Sequence, residues 1–341
     1  MVSEIKDYGA VFETLVAKTA DYLIQNNIKA QILGISGGID STVVAAICHE
    51  VSRRTGIPLI GRSLPSKYNK EGETTAADLV GKAFCTDYRV FNINTIYNNY
   101  IKDIIHKESG HVNYTIDSDG NISEVKDDFL SPIAKGNIQA RLRMIYLYNL
   151  ASLFGGLVMD TDNLTENNLG YFTIHGDVGD FNPIGCLWKT EVFKLAEWLL
   201  SYYSFQLPHN MYEATAEQLE KSGKVFQQGQ AIKESLKLKP TAGLGITNND
   251  LEELGAESYE QVDYILQEIV AWKWVSLEYK KDKYDSIEEM QEAFLEEQAM
   301  LDMPIKVIVN ITKRHFSSEF KRKQLPIKID REEITQNKIV Q

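Results

Sequence analysis

Apolar residues recur at helical spacing from Ile5 through Leu23, predicting an amphipathic first helix that ends near Asn26-Asn27. A short apolar run follows, Ile32-Leu33-Gly34-Ile35. It breaks at Ser36-Gly37-Gly38 and resumes with helical spacing from Ile39 through Ile47. Residues 57–60 then read as a second strand, 70–84 as a helix, 88–91 as a third strand and 93–106 as another helix. Between 107 and 128 the pattern is lost and Gly, Ser, Asn and Asp accumulate, which predicts an inserted hairpin or loop. A long helix is predicted over about 133–153 and a short buried strand over 156–160. From Lys189 onward the chain reads as mainly helical, and its charged stretch 275–303 reads as a solvated helical insertion. The strands are apolar throughout rather than alternating. With helices between them, they predict an α/β fold: a doubly wound parallel sheet covered on both faces.

In such a sheet, ligands bind beyond the carboxyl ends of the strands. The first strand end carries Gly34-Ile35-Ser36-Gly37-Gly38-Ile39-Asp40-Ser41. A strand feeding a glycine turn that opens a helix gathers backbone N–H groups and a positive helix end at one point, which suits phosphate. Two neighbouring glycines alone would fit an ordinary turn. Ser36 and Ser41 add donors, and Asp40 is a natural Mg²⁺ ligand. An acid beside a polyphosphate is repelled unless a cation lies between them, so the segment implies a metal as well as a nucleotide. A second strand end carries Asp160-Thr161-Asp162-Asn163-Leu164-Thr165-Glu166. Glu166 alone would pass for an acid favoured by a helix N-terminus. As the second acid on the same sheet edge, it can share one Mg²⁺ with Asp40.

Bulk properties narrow the partners. The chain has 341 residues and a formal net charge of −12, which argues against duplex nucleic acid as the main partner. No apolar run approaches the ~20 residues of a membrane span, and the polar start of the chain does not read as a signal peptide. Cys48, Cys85 and Cys186 are few and widely spaced, so buried reduced thiols in a cytoplasmic setting are expected.

Ser36-Gly37-Gly38-Ile39-Asp40-Ser41 resembles the signature of the ATP-pyrophosphatase superfamily, and it lacks the Gly-Lys-Ser/Thr ending of a Walker A loop. Later segments choose within that superfamily. The helix Gly136-Asn137-Ile138-Gln139-Ala140-Arg141-Leu142-Arg143-Met144, the acidic segment 161–166, Gly170 through Asp177, Asp180 through Ile184, Leu187-Trp188-Lys189 and Lys239-Pro240-Thr241-Ala242 are similar in order and spacing to the NAD synthetase family. The resemblance runs over residues 30–325, with insertions near 107–128 and 270–303.

The resemblance implies a Rossmann-like fold of the ATP-pyrophosphatase type over a single domain, 1–341, with no glutaminase domain of the nitrilase type. It implies a Mg²⁺-dependent ligase for the last step of NAD biosynthesis, in which ATP adenylates deamido-NAD and ammonia displaces AMP. Residues 34–41 would hold the ATP phosphates, helped by Thr161, Lys189 and Thr241, with Asp40 and Glu166 on Mg²⁺. Arg141, Asp180 and Lys321 would contact deamido-NAD. The family also implies a homodimer. Arg141, Lys189 and the KRK cluster around Lys321 have a plainer reading as solvated charges, and His49 and His175 read as satisfied polar partners.

Three departures concern the dinucleotide side. Ile174 stands where many members carry Lys, Asn163 and Phe320 replace frequent histidines, and the turn 176–180 is one residue shorter. Among rivals, a thiolating enzyme would call for paired cysteines and a basic surface. GMP synthetase fits the first motif but not the 161–184 series. A non-enzymatic nucleotide-binding protein would be marked by loss of Asp40 or Glu166. Free ammonia is the expected nitrogen donor, and a separate glutaminase subunit stays open as its source.

Overall fold

The computed structural model describes residues 5–105, 114–116, 122–124, 130–206, 215–239, 250–279, 289, 292–295 and 303–335. Helix α1 (Tyr8–Gln25) starts where the Asp7 carboxylate accepts from the backbone N–H groups of Gly9 and Ala10. Its buried stripe of Val11, Phe12, Leu15, Val16 and Leu23 follows the apolar spacing read from the sequence. Strand β1 (Ala30–Gly34), helix α2 (Ile39–Thr55), strand β2 (Leu59–Ser63), helix α3 (Glu71–Phe84) and strand β3 (Asp87–Val90) follow in alternation. Helix α4 (Asn94–Tyr100) runs into a wider π-type turn at Ile101–Ile105. The described parts of the first predicted insertion form the antiparallel pair β4 (Tyr114–Ile116) and β5 (Ile122–Glu124). Most of the second insertion lies outside the described residues.

Helix α5 (Pro132–Phe154) leads into strand β6 (Gly156–Met159), helix α6 (Leu164–Leu169), strand β7 (Phe181–Asn182) and helix α7 (Lys189–Phe205). The remaining elements are α8 (Ala216–Lys237), α9 (Asp250–Leu254), α10 (Tyr259–Tyr279), α11 (Ile305–Ser317), α12 (Glu319–Arg322), β8 (Ile327–Lys328) and α13 (Arg331–Thr335). Strands β7 and β8 went unread in the sequence because two residues are too short to show a period.

All six strands of the main sheet are parallel, in the order β3-β2-β1-β6-β7-β8. Ile32 of β1 lies level with Ile60 of β2 and Val158 of β6, and these three pack with Met144, Leu147 and Ala151 of α5. Leu33, one residue on, points into the larger core on the opposite face with α1, α2, α3, α7 and α8. Both faces are therefore covered, as continuous apolar strands require. A separate helical core joins Leu169 and Trp188 to Val262, Ile265, Leu266 and Ile269 of α10 and Ile308, Ile311 and Phe316 of α11. Each fully buried Leu or Ile contributes about 1.5–3 kcal/mol relative to exposure. The order reverses at β1, which has β2 on one side and β6 on the other, and in open α/β sheets this switch point, beyond the carboxyl ends of the strands, is where ligands bind.

Candidate active site

The turn after β1 brings Ser36, Gly37 and Gly38 to the start of α2. Gly37 has φ 84°, and a Cβ there would stand 2.4 Å from the Glu73 carbonyl oxygen and 2.6 Å from the Ala77 nitrogen. Only glycine lets this turn press against α3. Gly38 caps α2 with no side chain closing the helix start. Ser36 Oγ accepts from the Gly38 N–H at 3.2 Å and lies 3.0 Å from Ser41 Oγ. The positive end of α2 thus carries no side-chain cap and is flanked by two hydroxyls, an arrangement suited to an anion.

At the end of β6, Asp160 is 1% exposed and holds the following loop together. Its Oδ1 accepts from the Asp162 N–H and from Asn182 Nδ2, and its Oδ2 accepts from the Gly179 N–H. Thr161 follows, half-buried. Asn163 caps α6 in a reciprocal box with Glu166, each side chain accepting from the other's backbone N–H. That leaves Asn163 Nδ2 free to donate to Asp40 Oδ1 at 2.9 Å.

Lys189, the first residue of α7, joins the two strand ends. Its Nζ donates to Asp40 Oδ2 at 2.5 Å and to Glu166 Oε1 at 3.0 Å, with the side chain only 2% exposed. Burial alone would lower the Lys189 pKa, but the two carboxylates outweigh it and hold the ammonium charged, well above its ordinary range. Burial and the neighbouring Asp40 carboxylate raise Glu166 to about 7, against the opposing pull of Lys189. Two carboxylates converging on one cation make an all-oxygen donor set of the kind Mg²⁺ prefers. The donor chemistry therefore fits the metal expected there.

A model for the NAD synthase family matches residues 11–325. The chain belongs to the NAD synthase family. An NH(3)-dependent NAD(+) synthetase of Methanococcoides burtonii is 32% identical over 248 residues, covering 72% of this chain and 73% of that one. One of Thermococcus sibiricus is 30% identical over 268 residues, covering 78% and 83%. Among solved structures, NMN synthetase from Francisella tularensis shares the fold with TM-score 0.63 at 23% identity, covering 93% of this chain and 96% of that one. This NAD synthase family member is thus a carbon–nitrogen ligase that uses ATP.

Other expected residues of this family member fall in two places. Lys321 Nζ donates to the carbonyls of Gly170 and Phe172, and Arg141 Nε donates to that of Ile174 at 3.3 Å. Both cations therefore grip one segment, 170–174, at alternate residues. Lys321 is half-buried rather than a free surface charge, and burial lowers its pKa. Asp180 stands apart from them: its Oδ2 accepts from the Val158 N–H and its Oδ1 from Tyr148 Oη. Thr241 lies outside the described residues.

His49 is a satisfied polar partner, between the Phe84 carbonyl and Gln228. His175 instead is exposed, with φ 59°. Cys48, Cys85 and Cys186 are free thiols, and burial raises Cys85 and Cys186 to about 12.

Sequence reasoning missed the group around Asp162. Its Oδ2 is buried without a hydrogen-bond partner, and its pKa is raised well above 3.8 by burial and then by Asp160 and Asp177. Burial likewise raises Asp160 and Asp177 to about 7. Arg143 enters the sequence reading only as part of the 136–144 helix. It is anchored on the Leu64 carbonyl at 2.9 Å, and burial lowers its pKa to about 10. No periodicity marks such residues, because only the folded chain places them together.

Proposed function

We propose that the protein is an ammonia-dependent NAD synthetase that adenylates deamido-NAD at the switch point beyond β1 and β6. The observation that carries this reading is the meeting of Asp40 and Glu166 on Lys189 beside the open start of α2. In the first half-reaction, an oxygen of the nicotinate carboxylate attacks the α-phosphorus of ATP, and the bond to the β-phosphate oxygen breaks to release pyrophosphate. In the second, ammonia attacks the acyl carbon, AMP leaves with the bonding pair, and one proton is released as the amide forms. A carboxylate is a poor electrophile, and adenylation supplies the leaving group it lacks.

The work of the protein is positioning and charge neutralisation. The backbone N–H groups at the start of α2, with Ser36 and Ser41, receive the phosphates. Lys189 is the cation for the departing pyrophosphate, and Thr161 and Thr241 complete the ATP contacts. Asp40 and Glu166 would hold Mg²⁺, which supplies charge neutralisation for the polyphosphate. Arg141, Asp180 and Lys321 serve the dinucleotide, with segment 170–174 between the two cations.

The family relatives named for ammonia support free ammonia as donor. Residues 1–341 act as one catalytic domain in a cytoplasmic homodimer. Among the described residues no helix is long and apolar enough to cross a membrane.

The test is incubation with ATP, Mg²⁺, ammonium and deamido-NAD. NAD and AMP should appear in equal amounts, and neither should form with Asp40→Asn. Absence of both products from the parent protein would overturn the reading.

A further inference from the structure

Asp263 belongs to α10, far in sequence from every motif of the phosphate site, yet it is only 2% exposed. Both of its oxygens are used. Oδ1 accepts from the Thr165 hydroxyl, and Oδ2 accepts from the Thr190 N–H at 2.9 Å. Thr165 Oγ1 in turn accepts from the Lys189 N–H at 2.8 Å. The direction of this relay is fixed. The hydroxyl proton goes to Asp263, so a lone pair of Thr165 is left for Lys189. The N–H groups of Lys189 and Thr190 are the first two of α7 and have no partner within the helix. Asp263 satisfies one directly and the other through Thr165. One turn earlier on α10, the ring of Tyr259 lies 5.7 Å from Lys189 Nζ.

The same residues flank the site from both sides: Thr165 precedes Glu166, and Thr190 follows Lys189. A single carboxylate on α10 thereby sets α6 and α7 against each other at the point where Glu166 and Lys189 meet. We propose that Asp263 is a positioning residue for the ATP half-reaction, fixing the first turn of α7 through Thr165 and Thr190 so that Lys189 is held on Asp40 and Glu166. This rests on the reading of Lys189 as the pyrophosphate contact.

Asp263→Asn keeps the size but carries one acceptor, so the amide must turn its NH₂ toward either Thr190 N–H or Thr165. Mg·ATP affinity of the full-length chain, measured by equilibrium binding, and the steady-state KM and kcat for ATP and deamido-NAD test the proposal. Asp263→Asn should raise the Mg·ATP Kd and the ATP KM about tenfold, and leave the deamido-NAD KM within about twofold. Thr165→Val should do the same, and Thr165→Ser should restore the parent values. In a Lys189→Met background, Asp263→Asn should add less than about twofold to the Kd, because both act through one group.

A structural role alone would lower the melting temperature and the active fraction, leave KM and Kd unchanged, and overturn the proposal. So would a full, additive loss in the Lys189→Met background. If Asp263→Asn fails to fold, the Thr165→Val and Thr165→Ser pair decides. If Lys189→Met itself leaves Mg·ATP affinity intact, the reading of the phosphate site fails. If Lys189→Met weakens binding and Asp263→Asn does not, only the positioning role fails.

Discussion

Lys189 and Asp40 stand 149 positions apart in the chain, and their side chains meet at 2.5 Å in the interior. The pair joins the first turn of α7 to the first turn of α2, with Glu166 completing the group from the first turn of α6. Breaking one partner of a buried ion pair typically costs about 3–5 kcal/mol, because the remaining charge is left uncompensated. Lys189→Met should therefore melt at lower temperature than the parent in metal-free buffer. Added Mg²⁺ should recover much of the difference by neutralising Asp40 and Glu166. Turnover should fall on the order of 10²–10³-fold even with Mg²⁺, since the pyrophosphate loses its cation. Thermal melts with and without Mg²⁺ check this, and equal melts of both proteins without metal would refute it.

Asp162 presents the opposite situation, a buried carboxylate oxygen with no partner. Its pKa is raised, as are those of Asp160 and Asp177 at about 7. The folded state then holds protons that the unfolded chain releases at the ordinary value of 3.8. Stability from these groups is present at low pH and is lost as pH rises through about 4 to 7. Asp162→Asn removes the charge at its source. Its melting temperature should exceed that of the parent at pH 8, with the gap closing by pH 5. A gap that is the same at both pH values would contradict this account.

At Gly37, backbone and space point the same way. An alanine would need a left-handed φ of 84° and would drive its Cβ into the backbone of α3. Strain of this kind costs roughly 1–3 kcal/mol before the clash is added. Gly37→Ala should lower stability and weaken ATP binding together, because the turn that shapes the phosphate cradle has to move away from α3. Calorimetry and ATP titration of one preparation would show both changes, and unchanged ATP affinity would count against the cradle.

Arg141 is exposed and, among the described residues, bonds the Ile174 carbonyl alone, so the fold loses little without it. Charge-assisted hydrogen bonds are worth about 1.5–3 kcal/mol, which is roughly 10–100-fold in binding. Arg141→Ala should raise the KM for deamido-NAD by about that factor and leave the KM for ATP within about twofold. Steady-state kinetics varying each substrate separates the two. An equal rise in both would move Arg141 from the dinucleotide to a role shared by the whole site.

The first helix, the strand–turn–helix at 30–55 and the long helix at 132–154 were legible because their information is local: apolar period, capping and glycine position act within a few residues. The segment 36–41 and the acid at 166 stood out as candidates for the same reason, and the fold brings Asp40 and Glu166 together on Lys189. Strands β7 and β8 were not legible, since two paired residues owe their conformation to their neighbours in the sheet. In the sequence, Asn163 reads only as a substitute for histidine. It serves as the cap of α6 and as a donor to Asp40, and both uses depend on where α6 is carried.

By itself, the sequence determined the parallel α/β architecture, the glycine turn between β1 and α2, and the family. Tertiary structure alone decided that β1 and β6 lie side by side, that Lys189 bridges Asp40 and Glu166, and that Asp263 reaches across from α10 to hold Lys189's helix. The division follows from physics. Backbone propensity and periodicity are encoded residue by residue, whereas the meeting of side chains more than a hundred positions apart is fixed only when close packing selects one arrangement of the elements.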